Sequence, residues 1–384
     1  MNKNAWILLG LIIVLVFAIG MIWITKLPEK EKPPISIPPK EVKGIKLVGS
    51  VHGAGSPNYL GGASSVKVSG KYAYVAAFVD SALSIFDISD PSNPTLVSVV
   101  SGAGSPNYLG GASSVYLSKD CAYVASYIDD ALSIFNISDP KNPRLVGVIS
   151  GAGSPNFLDG ADSVYVAGDY AYVAAFDDKA LSVIDVSDPS NPRPVGSISG
   201  KASPYLDGAS AVCISEDYGY LATAGDDALS VMDLRDPSHP KHIATARGAG
   251  YPNYLDGANG VTVDKKYAYV VAMYDNSLTI FDISDPTAPA YVGNVHGVGS
   301  PYYLGGASCV KASGDYVYVV SAKDNALSVF DVSDPTDPIL VDTVYGAGSP
   351  NFLKGAWSVD VSGGYAYVAS FEDASLSVFK VVTK

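Results

Sequence analysis

Tyr72–Pro94 reads YAYVAAFVDSALSIFDISDPSNP, and the 384-residue chain says this phrase seven times. The copies start at Tyr72, Cys121, Tyr170, Tyr218, Tyr267, Tyr316 and Tyr365, at intervals of 49, 49, 48, 49, 49 and 49 residues. A period near 40–50 residues with several strand signals per unit is the signature of one propeller blade per repeat. Within the phrase, Tyr72-Ala73-Tyr74-Val75 alternates large and small residues, so the rings take one face of a strand and the small side chains the other. Stacked blades need that complementarity. The Asp87–Pro94 segment, DISDPSNP, joins Asp and Asn to two prolines and reads as a tight turn that stops the third strand.

Four strands per unit are expected. In the first unit they are Ser64–Ser69 innermost, then Tyr72–Phe78, Leu83–Ile88 and Thr95–Ser101 outermost. The two ends of the array are incomplete in complementary ways. Ile45–Val51 reads as an outermost strand with no partners before it, while Trp357–Ser362, Tyr365–Phe371 and Leu376–Val381 read as three inner strands with nothing after them. The expectation is an all-β, seven-bladed propeller of four-stranded blades whose N-terminal strand completes the last blade, removing the sheet edges that invite aggregation.

Ahead of the repeats, Ala5–Ile24 is a 20-residue run without a charge and with Trp6 and Trp23 near its ends. As a helix it is about 30 Å long, the thickness of bilayer hydrocarbon. The organisation expected is a flank at 1–4, one transmembrane anchor helix at 5–25, a Pro/Lys/Glu-rich linker at 26–44 reaching about 50 Å at most, and the ring at 45–384. A literal count of lysines flanking the run favours a cytoplasmic ring. A short N-terminal anchor commonly exports the domain behind it, and an extracytoplasmic ring is the expectation. Asn136-Ile137-Ser138 is a lone glycosylation sequon compatible with export.

The formal net charge is -13. Residues 1–44 contribute +3, which leaves -16 on the ring and no basic stripe to neutralise phosphates, so nucleic acid is excluded as a partner. Cys121, Cys213 and Cys309 fall at different repeat positions and read as structural thiols rather than a disulfide framework.

Leu181-Ser182-Val183-Ile184-Asp185-Val186-Ser187-Asp188-Pro189, preceded by AYVA at Ala171–Ala174, resembles the LVIVD repeat of bacterial and archaeal surface proteins. The likeness runs through every unit from about residue 45 to 384, with Ser second and Phe, Ile or Met fourth in the motif, and with Phe379-Lys380 in place of the last Asp and turn. The resemblance implies a propeller, often exported. It brings no catalytic residues with it.

Two sets of side chains recur beyond what strands need. The loop entering each blade, GAGSPNYLGGA at Gly53, carries an aromatic at Tyr59, Tyr108, Phe157, Tyr205, Tyr254, Tyr303 and Phe352, while its fourth copy is one residue short and lacks the Asn. The hairpin between the middle strands carries Asp80, Asp129, Asp178, Asp226, Asp275, Asp324 and Asp373. Both emerge on one face of an up-and-down ring. Such circles suit a sugar, a cationic peptide or a metal ion such as Ca2+, although hairpin-turn chemistry and a plug between blades account for them without a ligand. Where loops 1, 2 and 6 have glycine, the others place Asp159, Asp207, Asp256 and Lys354, the candidates for specificity. The function expected is a membrane-tethered cell-surface module that binds a protein or glycan of the envelope, with no cofactor required. The alternatives are a hydrolase or lyase using ring carboxylates, or a purely structural envelope protein. His52, His239, His242 and His296 lack a triad setting.

Overall fold

A computed structural model describes residues 44–200 and 205–382. The expected anchor helix and all of the expected linker but Gly44 lie outside the described residues, among which no helix is long and apolar enough to cross a membrane. Twenty-eight strands form seven four-stranded sheets, and six of these run in simple sequence order from the inside outward. Blade 1 is Ala63–Ser69, Tyr72–Ala77, Ala82–Asp87 and Thr95–Ser101. The expected strands are thus present, shifted at their ends by one residue. The seventh sheet takes its outer strand, Ile45–His52, from the N-terminus, paired antiparallel with Ser375–Val381 in the register Ile45↔Val381 to His52↔Ser375. The ring closes as the two array ends require.

The core is seven apolar seams, one between each pair of neighbours. Tyr74, Ala76, Leu83 and Ile85 of blade 1 pack on Leu109, Val115, Ala122, Val124 and Phe135 of blade 2. Tyr367, Ala369, Leu376 and Val378 of blade 7 meet Val66, Ala73, Val75 and Phe86 of blade 1 in the same way. Phe86 is fully buried, which contributes about 2–3 kcal/mol per such ring. The Tyr-Ala alternation therefore does what its pattern implies: rings on one face, small residues receiving them on the other.

At the rim, each turn presses a carbonyl on the blade before it. A Cβ on Gly147 would lie 2.1 Å from the Pro189 oxygen, and one on Gly196 2.3 Å from that of Pro237. Blade 1 has Ser98 at this position, and its hydroxyl donates to Pro140 O at 2.6 Å. The last unit ends Phe379-Lys380 and has no such turn. Blade 6 compensates: at the matching position its Asp342 accepts the Ile45 N–H at 2.6 Å, so a carboxylate holds the start of the closing strand.

Near the axis, each inner strand begins with a bulge, between Ala63 and Ser65 in blade 1. The bulged Ser64 donates to Ala76 O of its own blade and Ala112 O of the next, at 3.1 and 2.7 Å. Ser113, Ser210 and Ser308 repeat this inter-blade brace. Blades 3, 5 and 7 place Asp162, Asn259 and Trp357 there instead.

Candidate functional site

The loops and hairpins singled out by their repetition meet on one face of the ring, and the carboxylates are tied to the loops. Asp80 Oδ2 accepts the N–H groups of Gly55 at 2.7 Å and Gly61 at 2.6 Å. Asp129 does the same for Gly104 and Gly110, and Asp324 for Gly299 and Gly305. Where loop residues differ, the bonds persist: Asp178 holds Gly153 and Asp159, Asp275 holds Gly250 and Asp256, and Asp373 holds Gly348 and Lys354. Asp226 accepts from Asp207 N at 2.8 Å. These are charge-assisted bonds to backbone donors. The donors lie on the loop 19 and 25 residues earlier rather than in the hairpin's own turn.

The loop aromatics stand in the left-handed region, with φ from 46° to 51° for Tyr59, Tyr108, Phe157, Tyr254, Tyr303 and Phe352. Ser84 Oγ donates to the carbonyls of Asn58 and Tyr59, and Asn58 Nδ2 to His52 O, pinning the strained loop from two sides. Four of the aromatic rings lie against the end of an outer strand. Phe352 stacks on His52 at 4.6 Å, Tyr254 on His296 at 4.4 Å and Tyr303 on Tyr345 at 4.5 Å, while Arg247 sits over Tyr205 at 5.0 Å. This explains two of the four histidines as stacking partners.

The specificity candidates meet hairpin residues of their own or the preceding blade. Lys179 pairs with Asp207 at 2.8 Å, and Lys354 pairs within its own blade with Glu372 at 3.1 Å. At two other interfaces carboxyl faces carboxyl: Asp159 lies beside Asp130, whose Oδ1 accepts Gly160 N at 3.1 Å, and Asp256 beside Asp227, whose Oδ1 accepts Gly257 N at 3.0 Å. Burial, then neighbouring carboxylates, pushes Asp159 and Asp256 above the ordinary carboxylate range. Among the described residues no three His, Cys, Asp or Glu side chains converge as a metal-ligand set would.

A feature missed in the sequence lies closer to the axis. The residue directly after the second strand is Phe78, Tyr127, Phe176, Ala224, Met273, Ala322 and Phe371 around the ring. Four of these are aromatic, and circular closure makes them neighbours. Phe371 to Phe78, Phe78 to Tyr127 and Tyr127 to Phe176 are 6.1, 6.2 and 6.3 Å between centroids, each pair tilted by 50°. Trp357 extends the crescent, 6.1 Å from Phe371. One step outward, Val79 is 62% exposed and Ile128 38%. The opposite half of the mouth carries alanine and methionine. The signal is readable as the residue after each YVAA-like strand, where the repeat varies.

Asp162 stands in the channel wall beside this crescent. No hydrogen-bond donor among the described residues meets its carboxyl. Burial, and then the nearby Asp177, pushes its pKa up to about 7. Tyr127 titrates above its normal range because of burial and then of the nearby Asp177 carboxyl. Deeper in the channel, Lys311 pairs with Asp360 at 3.1 Å, and Asp360 Oδ2 accepts Val68 N across the closing seam. Burial works against the Asp360 charge, but Lys67 and Lys311 outweigh it and keep the carboxyl ionised below the usual range. The three cysteines are free, and burial raises the thiols of Cys121 and Cys213, as inert structural residues require.

Comparison with curated proteins gave no match. Among solved structures, the β-propeller domain of Cps50 (Swd1) from Myceliophteria thermophila is 13% identical, with a TM-score of 0.65 over 88% of this chain and 100% of that one. Virginiamycin B lyase from Staphylococcus aureus is 8% identical, with a TM-score of 0.65 over 88% and 100%. A functionally unknown protein from Desulfotomaculum acetoxidans is 15% identical, with a TM-score of 0.63 over 82% and 95%. At these identities the likeness is one of fold. The LVIVD repeat model matches residues 60–101, 109–150, 160–200, 208–245, 257–296, 304–345 and 355–378, one segment per blade. With repeat, blade and closure all in agreement, the chain belongs to the LVIVD repeat family.

Proposed function

We propose that this protein is a membrane-tethered, extracytoplasmic interaction module whose loop face binds a protein or glycan of the cell envelope. The observation that carries the reading is the aromatic crescent. Six of the seven ring aspartates spend two hydrogen bonds each on holding loops, a duty that repeats with the blades. The crescent breaks that symmetry and sets half-buried rings beside the exposed Val79 and Ile128, which is how binding surfaces differ from braces. The uncharged run Ala5–Ile24 supports the tether.

The test is an array of envelope glycans and peptides probed with the detergent-solubilised full chain, with Phe78→Ala as the site variant. Binding lost in the variant supports the reading, and binding unchanged by it refutes this location. Protease accessibility on intact cells tests the sidedness, with a protected ring counting against an outward-facing one. The reading as a hydrolase or lyase is favoured by one observation, the carboxyl pairs Asp130–Asp159 and Asp227–Asp256, in which burial first pushes Asp130, Asp159 and Asp256 above the ordinary carboxylate range. Turnover of an arrayed compound that Asp159→Asn abolishes would favour it over pure binding.

A further inference from the structure

We infer that the mouth formed by Phe371, Phe78, Tyr127, Phe176 and Trp357, with Asp162 in its wall, is a binding site for a basic side chain, lysine or arginine, on a peptide segment with apolar flanks. The inference rests on the loop face being the binding face and names the chemistry that face accepts. The rings are spaced 6.1–6.3 Å apart and tilted by about 50°, so they line an arc rather than stacking on one another. Phe371 and Phe176 each have a ring edge over a glycine of the next blade: a Cβ on Gly62 would come 3.1 Å from Phe371, and one on Gly208 3.2 Å from Phe176. The arc is thereby held from below. Aromatic faces attract cations through their quadrupole, most strongly where water is partly excluded.

The polar groups beside the arc have the matching sign. Asp162 occupies a slot that four sister blades fill with a bracing serine, and it gives up both brace bonds there. Its carboxyl meets no donor among the described residues, and Asp177 adds a second carboxyl near both Asp162 and Tyr127. The wall thus offers acceptors and π faces, which a guanidinium or ammonium satisfies and an anion does not. The net charge of -16 on the ring works in the same direction over longer range. Val79 and Ile128, exposed just outside the arc, provide contact for apolar residues on either side of the base.

The experiment uses the full chain in detergent micelles and an array of capped nonapeptides. Each has alanine and leucine flanks and one central position occupied by Arg, Lys, citrulline, Glu or Ala. Arg and Lys peptides should bind about tenfold more tightly than citrulline, which keeps the shape of Arg and loses its charge. Asp162→Asn, close to isosteric, should erase that preference, and Phe78→Ala should weaken Arg binding about tenfold. Tyr254→Ala, on the rim of the same face, should leave it unchanged. Equal binding of Arg and citrulline peptides, or a preference that survives Asp162→Asn, overturns the cationic site while leaving the loop face as a binder. Absence of binding to every peptide overturns it too, and glycan binding that Phe78→Ala still abolishes would then show that the broader reading survives.

Discussion

Replacing Asp162 with serine should stabilise the ring, and by an amount that grows with pH. Serine is what Ser64, Ser113, Ser210 and Ser308 provide at this slot. By analogy with those blades, its hydroxyl would reach the carbonyls of Ala174 and Ala209, adding about 0.5–1.5 kcal/mol. The larger effect is electrostatic. The Asp162 carboxyl sits near 7 in the folded ring, against an ordinary value of 3.8. Because the folded value is the higher one, the native state holds a proton that the unfolded chain has already lost. Stability therefore falls as pH rises from about 4 to about 7, and the full cost is present above 7. A rise of that size corresponds to about 4 kcal/mol at most, and the partial exposure of Asp162 reduces it to roughly 1–3 kcal/mol. Thermal melts of the two proteins should then differ by several degrees at pH 8 and by roughly half to three-quarters as much at pH 5, where the hydrogen-bond gain persists and most of the electrostatic one is gone, at about 2 °C per kcal/mol for a ring of this size. A gain of equal size at both pH values would refute the buried charge, and a loss of stability at pH 8 would refute the whole argument. Asp177, Tyr127 and Asp159 are the titratable neighbours to hold constant.

Deleting Ile45–His52 should leave seven blades with an open outer edge on the last one, detectable as oligomers by light scattering; a monomer with an unaltered melt would contradict closure by that strand. Gly147→Val puts a side chain where 2.1 Å separates an added Cβ from the Pro189 oxygen, and should cost at least about 1–3 kcal/mol in urea unfolding. Gly153→Val, where nothing lies within 4 Å but φ is +62°, is a control for strain without a clash. Asp80→Asn keeps the shape and removes the charge from two backbone bonds, so the Gly53–Gly61 loop should be cut faster in limited proteolysis, with about 1–2 kcal/mol lost overall. Equal cleavage rates would mean the carboxylate is not what holds that loop.

Much of the architecture is legible because it is written in repetition. The 48–49-residue spacing fixes the blade, the Tyr-Ala alternation fixes which face meets which, and the unmatched ends fix the closure. The seven aspartates are visible for the same reason. Their partners are not, since spacing along the chain does not reveal which backbone N–H groups a hairpin carboxylate will face after folding. The crescent escapes notice for the opposite reason. Phe78 reads as the last residue of a strand, and a position that changes between aromatic, alanine and methionine looks like mere variation beside the identities around it. Circular closure also matters: Phe371 and Phe78 come from opposite ends of the array and become neighbours only in the ring. Asp162 is a similar case, one acidic residue among serines whose bracing role is itself invisible in the sequence.

The closing strand has a mechanical consequence. Ile45 is paired with Val381 on the side of the ring away from the loops, and the strand runs from there toward His52. Tension applied through the residues before Gly44 would load that first rung alone and peel the ladder one pair at a time, with the Asp342 contact to Ile45 N as the initial latch. Once it has peeled through His52, blades 7 and 1 are held together by side-chain packing, by the Gly53 N–H on Ala374 O, and by the bonds that Val66 N and Val68 N donate to Ser358 and Asp360. The crescent straddles that same seam, so a pull on one face would be felt as a change in the spacing of Phe371 and Phe78 on the other.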